Sequence, residues 1–259
     1  MQQDELFNQN HSIFQTKAFR YILVICIYIF MQFSPLLLHI FNPFTTFGWI
    51  PEGLTIEEAS LYINGQWGFF SFLTATIFIV LITYKDFFGK NNRGDISADR
   101  IVLWTVGGIF LAFGAQMISN LISMQFVDIS NGSENTNELI AVAKIAPLFI
   151  PVICIFAPVV EEIIFRGILF KTIADKTNFF VGVLVSALIF AVIHQDFTFL
   201  LSYFMMGFVF AYLYHKTKRL IVPIVAHATM NTVVTVLQLT IGNLSNDLQK
   251  QIQLIHFFL

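Results

Sequence analysis

Charge is what this sequence most lacks. Asp, Glu, Lys and Arg make up 12% of its 259 residues, about half of the ~25% usual in a soluble globular chain. That deficit excludes a disordered chain, a nucleic-acid-binding surface and an ordinary soluble enzyme. Cysteine is nearly missing as well. Cys26 and Cys154 are too few for a disulfide framework, and each lies in an apolar run where inert packing is the expected role. No internal repeat is visible, and the loops are too short to hold a soluble domain. What fills the space is 56% hydrophobic residues, 31 of the 259 being Phe. The bilayer is the natural solvent for such a chain.

Seven stretches approach the roughly 20 apolar residues that a membrane-crossing helix needs. They run over about 19–41, 66–84, 101–124, 145–171, 179–195, 197–214 and 220–241. The first has too long an apolar run, and too polar a start, for a cleavable signal peptide. The sequence therefore predicts an all-α polytopic transmembrane bundle of about seven spans, six to eight being compatible with the very short Gln195–Asp196 connection. Residues 1–18 form an N-terminal segment, 19–241 the membrane domain, and 242–259 an apolar-ended tail suited to the interface.

Basic residues orient the bundle. Lys17, Arg20, Lys85, Lys90, Arg93, Arg100, Lys171, Lys176, Lys216, Lys218 and Arg219 fall on one side, against Lys144 and Lys250 on the other. The positive-inside rule then puts the N-terminus in the cytoplasm and the loop carrying Glu52, Glu57 and Glu58 outside. An integral multi-pass protein of the cell membrane is the expectation, with lipid around it.

One basic residue, Arg166, is left inside a span, and so are two acidic residues, Glu161 and Glu162. A charge at the bilayer centre costs at least ~2.5–3.5 kcal/mol, so each needs a reason. Glu162 and Arg166 stand at i,i+4 in the favourable order and can pair. Glu161 points about 100° away around the helix and must find a partner elsewhere. His194 ends the fifth stretch in Phe190-Ala-Val-Ile-His194, and His227 and Asn231 share a face of the seventh.

These side chains can do chemistry. A buried carboxylate can take a proton from water that a neighbouring imidazole holds. A second imidazole with a carboxamide supplies donors for a developing oxyanion. Two imidazoles and a carboxylate (Glu161, His194, His227) are equally a catalytic zinc set, so a divalent metal stays open as a cofactor. Glu162–Arg166 reads better as a structural clamp than as chemistry, and Cys154 has no base near it in sequence. A proton-coupled transporter or a silent scaffold or immunity protein are the competing functions. A transporter should show repeat symmetry or paired broken helices, whereas the polar groups here occupy one half of the chain.

The three motifs Glu161-Glu162-x-x-x-Arg166, Phe190-x-x-x-His194 and His227-x-x-x-Asn231, in that order on late helices, resemble the CPBP intramembrane proteases. That family comprises the type II CAAX prenyl endopeptidases and bacteriocin-processing and abortive-infection-type homologues. The resemblance spans about residues 145–240. It implies an intramembrane endopeptidase, of glutamate or metallo type, acting on a membrane-associated or lipidated peptide or protein. By the same resemblance Glu161 activates water with His194, His227 and Asn231 stabilise the oxyanion, Glu162 counts with these four among the catalytic residues, and Arg166 holds Glu162 and the local fold, with Phe190 in support. Straight, parallel helices would not bring these residues together, so bending at Pro151, Pro158 and Pro223 is expected. A fifth helix that tilts strongly or ends within the membrane is expected with it.

Overall fold

The computed structural model describes residues 16–46, 48–89 and 96–241. The tail expected at the interface, most of the N-terminal segment, and Lys90, Arg93 and Lys250 lie outside the described residues. Among the described residues the principal helices are α1 Lys17–Phe33, α2 Ile56–Phe87, α3 Ala98–Ser123, α4 Glu134–Ile145, α5 Pro147–Lys176, α6 Phe179–Ile193, α7 Leu200–Thr217 and α8 Ile221–Ile241, with one short helical turn at Pro43–Thr46. A 3-10 turn, Ser34–His39, extends α1. No strand occurs among the described residues.

Among the described residues five helices are long and apolar enough to cross a membrane: Lys17–Leu38, α2, α3, α5 and Ile221–Thr240. Helices α6 and α7 occupy the fifth and sixth expected stretches. Helix α6 has 15 residues, about 22 Å at 1.5 Å per residue. That is shorter than the ~30 Å hydrocarbon core.

Three elements differ from the hydropathy reading. Helix α2 starts at Ile56 instead of near 66, because Thr55 and Glu58 form a reciprocal capping box. Glu57 and Glu58 therefore sit in its first turn, where carboxylates complement the helix dipole, and not in the preceding loop. Helix α4 was not anticipated. Ser133 caps it, accepting from Thr136 N–H at 3.2 Å, and its mixed composition hid it from a search for apolar runs. Pro223 does not bend α8; it is that helix's third residue, where a missing N–H costs nothing.

Helix α5 is the central rod. Over half of its apolar stretch is buried (56%), against 22%, 17% and 11% for the first three spans. Around it, small residues let backbones approach. A Cβ at Gly65 would meet Ala146 Cβ at 2.5 Å, and one at Gly108 would meet Leu213 at 2.5 Å. Gly108 and Ala112 thus form a close seam of α3 against α7. Arg20 pairs with Asp86 at 2.8 Å, which sets the start of α1 beside the end of α2. Tyr21 stacks on Phe87, and Phe87 fills the space above Gly167 of α5. Lys17, Arg20, Lys85 and Lys171 are thereby gathered at one end. Large apolar side chains such as Phe30, Leu103, Phe110 and Phe180 face outward, as a lipid-facing surface requires. Cys26 is also exposed on that surface, whereas Cys154 is buried.

The α6–α7 crossing is the tightest contact bearing on the polar residues. A Cβ at Gly207 would stand 2.9 Å from Ala187 Cα, a backbone atom that cannot swing aside. Gly207→Val should force the two helices apart and cost about 1–3 kcal/mol by overpacking. Gly114→Ala, with nothing within 4 Å of the new Cβ, should not destabilise. Thermal unfolding of both variants in detergent checks this.

Candidate active site

Glu161 and Glu162 owe their positions to the irregularity of α5. This rod is a succession of a 3-10 turn Pro147–Phe149, a π segment Val152–Phe156, an α turn Ala157–Glu162, a π segment Ile163–Phe170 and a final α turn. Short π segments often mark functional sites. Prolines supply the cause of the first, Val152–Phe156. Ala157 N–H reaches back to Val152 O, and residue 158 is Pro with no N–H to offer. The Ile153 carbonyl takes its hydrogen bond from Asn231 Nδ2 of α8, at 3.1 Å. Asn231 therefore pins α8 to the broken turn, leaving one amide hydrogen free of that bond.

The two carboxylates diverge, as consecutive helical residues must. Glu162 is fully buried, with its Oε2 3.1 Å from Arg166 Nε. Its Oε1 lies 3.0 Å from His227 Nδ1. Glu161 has 15% of its side chain exposed, toward a cavity, and its Oε2 is 3.8 Å from His227 Nε2. The partner that Glu161 lacked on its own helix is thus His227, one imidazole spanning both carboxylates. Since Nδ1–H donates to Glu162, the neutral ring presents a lone pair at Nε2. Only the imidazolium form has a hydrogen to donate on both sides.

Aromatic rings hold these groups in place. Phe210 lies parallel to the His227 ring at 4.9 Å, and Phe190 meets it edge-on at 6.0 Å. The Arg166 guanidinium sits 4.4 Å from the Phe190 centroid and 5.3 Å from that of Phe210. Its Nη2 reaches the Gly207 carbonyl at 3.5 Å. Phe190 is thereby a shared wall for Arg166, His227 and His194. His194 ends α6 and donates from Nδ1 to the Phe190 carbonyl at 2.7 Å. Its Nε2 is thus the acceptor.

His194 also stacks on Tyr203 of α7, at 4.2 Å. The Tyr203 hydroxyl accepts from Asn135 at 3.0 Å, and Ser133 Oγ donates to buried Asp196 at 2.7 Å. Asp196 in turn accepts from Phe199 N–H, at the residue just before α7. The short corner after His194 is therefore clamped to the start of α4.

Glu161, His194, His227 and Asn231 all line one cavity of about 490 Å³, within the range of small-ligand sites. Glu162 and Arg166 stand behind it and do not line it. Cys154 does not line it either. Residues 129–137 wall the cavity at the end of the bundle opposite to the Arg20–Asp86 pair. Catalytic zinc takes three protein ligands, and Glu161 with His227 provides two free donors. Among the described residues no group of three His, Cys, Asp or Glu could hold a metal ion. The anticipated donor set is one short, because His194 does not join the other two.

Phe210, Tyr203, Asp196 and Ser133 were not found by sequence reasoning. Nothing marks Phe210 among 31 phenylalanines. Asp196 carried a signal, since it is a carboxylate directly after the His194-Gln195 span end.

The same stretch of chain is recognisable in other proteins. The profile of a family described as type II CAAX prenyl endopeptidase Rce1-like matches residues 143–233. The chain is 38% identical over 239 residues to the putative membrane peptidase YdiL of Bacillus subtilis, covering 91% of this chain and 96% of that protein. It is 34% identical over 232 residues to the membrane-embedded CAAX protease MroQ of Staphylococcus aureus, covering 86% and 91%. A third relative, the UPF0177 protein YxdF of Lactococcus lactis, is 25% identical over 162 residues. No solved structure matches. With its helical membrane architecture and a long match to these two peptidases, the chain belongs to the Rce1-like family of membrane peptidases.

Proposed function

We propose that this peptidase is an intramembrane endopeptidase of the cell membrane that cuts a membrane-associated or lipidated peptide with water activated by Glu161. The observation that carries the reading is the imidazole of His227 between two consecutive carboxylates, one sealed and one open to a cavity. A separation of 3.8 Å between Glu161 Oε2 and His227 Nε2 lets one water lie at ~2.8 Å from both.

Glu161 takes a proton from that water, whose second hydrogen faces the Nε2 lone pair of His194. The oxygen attacks the peptide carbonyl carbon, and the carbonyl electrons move onto its oxygen. That oxyanion receives the free Nδ2–H of Asn231 and the Nε2–H of His227, which in this scheme enters the cycle already protonated, balanced by Glu162, and keeps that proton throughout. As the C–N bond breaks, Glu161 returns its proton to the leaving nitrogen, so the carboxylate is regenerated. Glu162 touches no reacting atom in this scheme. It is a positioning residue that fixes the His227 ring and balances its charge, with Arg166 holding Glu162 in turn. The positive-inside reading puts the cavity mouth at 129–137 on the outer face.

Purified protein in liposomes carrying a quenched transmembrane peptide tests the scheme. His194→Ala and His227→Ala should each slow cleavage by about 10²–10⁴-fold, and a chelator should leave the wild-type rate unchanged. Wild-type rates in both variants would overturn the assignment. Loss of activity on chelation, restored by added zinc, would favour a metal mechanism.

A further inference from the structure

Helix α3 carries a polar face into a span that is otherwise apolar. Ser119 is satisfied by the Ala115 carbonyl, at 2.8 Å. Asn120 accepts from Ser202 of α7 at 2.6 Å. Gln116, one turn before Asn120 and on the same face, is half-buried and makes no hydrogen bond to any described residue. Its carboxamide lines the cavity that Glu161 opens into. A long polar side chain left unpaired at membrane depth is costly, and a purely structural role would have given it a partner.

The cavity suggests what that partner is. Cleavage requires an extended peptide, whose N–H and C=O groups have lost their helical bonds and find no water in hydrocarbon. A carboxamide offers one donor side and one acceptor, the complement of a peptide unit. Other parts of the lining are apolar: Tyr28 of α1, Phe72 of α2, and Phe149, Val152 and Ile153 of α5. Among the described lining residues there is no Lys, Arg or Asp; Glu161 is the one carboxylate, beside the imidazoles of His194 and His227. A carboxylate in the substrate would compete for the hydrogens that His227 and Asn231 offer the oxyanion, and a basic side chain would engage the carboxylate that must activate water.

We propose that Gln116 is a substrate-binding residue that holds the main chain of an extended, uncharged, largely apolar peptide segment in this cavity. The proposal rests on the reading of the cavity as the peptidase site. It assigns to α3 a share in a site whose motifs all lie on α5, α6 and α8.

The test is equilibrium binding of a fluorescent peptide of Ala, Leu, Val and Ser, with a lysine at each end for solubility. The full chain is used in detergent with Glu161→Gln as the non-cutting parent. Adding Gln116→Leu should weaken binding about tenfold, the value of one hydrogen bond, without lowering the unfolding temperature. N-methylation of one central peptide amide should weaken binding to the parent by a similar factor and cost nothing further in Gln116→Leu. A lysine at the centre of the peptide should weaken binding to the parent, whose lining then holds no carboxylate to offset the loss of its water. Equal binding with and without Gln116, strictly additive losses at every amide, or no binding by the parent would overturn the proposal. Cleavage of the peptide by the Glu161→Gln parent would instead overturn the catalytic reading and leave the Gln116 result to stand by itself.

Discussion

Glu161→Gln should yield a folded protein whose cleavage rate falls by about 10³–10⁴-fold. General-base catalysis alone is worth about 10²–10⁴, and Glu161 in this site serves twice, first taking a proton and then returning it. The substitution keeps the shape of the side chain and its contact with the cavity. It removes no clamp, since the ion pair of α5 uses Glu162. Unfolding temperature should therefore hold while activity collapses. A shortened carboxylate, Glu161→Asp, should recover part of the rate, because the base survives at a longer reach from His227. Cleavage kinetics beside thermal unfolding separate the two quantities.

Arg166→Met should do the opposite and remove the protein instead of the chemistry. Arg166 and Glu162 are 1% and 0% exposed, so deleting the guanidinium strands a carboxylate in an apolar interior. Breaking a buried pair in this way typically costs about 3–5 kcal/mol, a large part of the stability of most folded proteins. The guanidinium also fills the space between Phe190 and Phe210, which Met occupies only in part. Adding Glu162→Gln removes the stranded charge and keeps an acceptor for His227, so the double variant should regain most of the lost stability. Yield and unfolding temperature of the single and double variants measure this. A double variant no more stable than Arg166→Met would show that packing, and not charge, dominates at this position.

Much of the site was legible because charge is so scarce. In a chain with 12% charged residues, Glu161, Glu162 and Arg166 within one apolar stretch stand out, and the i,i+4 spacing already pairs the last two. What could not be read is how they meet their partners. Neither Phe190 nor Phe210 differs in sequence from the phenylalanines that face lipid, yet they wall in Arg166 and His227. The π segment Val152–Phe156 follows from where Pro151 and Pro158 leave carbonyls without donors, a consequence of backbone bonding that hydropathy does not register. It also gives Asn231 a second task, at the Ile153 carbonyl, beyond the one its spacing from His227 suggests. The capping box at Thr55 and Glu58 was readable. An apolar window passes over it because the first turn of α2 is polar. Gln116 was hidden for a related reason: a single carboxamide does not lower the hydropathy of a 26-residue helix.

The central claim is that Glu161, as a base, drives peptide hydrolysis in this cavity. The most direct measurement is the cleavage rate of one membrane-embedded peptide by wild type, Glu161→Gln and Cys154→Ser, in the same liposomes. The account predicts that Cys154→Ser cuts at the wild-type rate and Glu161→Gln does not cut above background. Cleavage by Glu161→Gln at the wild-type rate would contradict it.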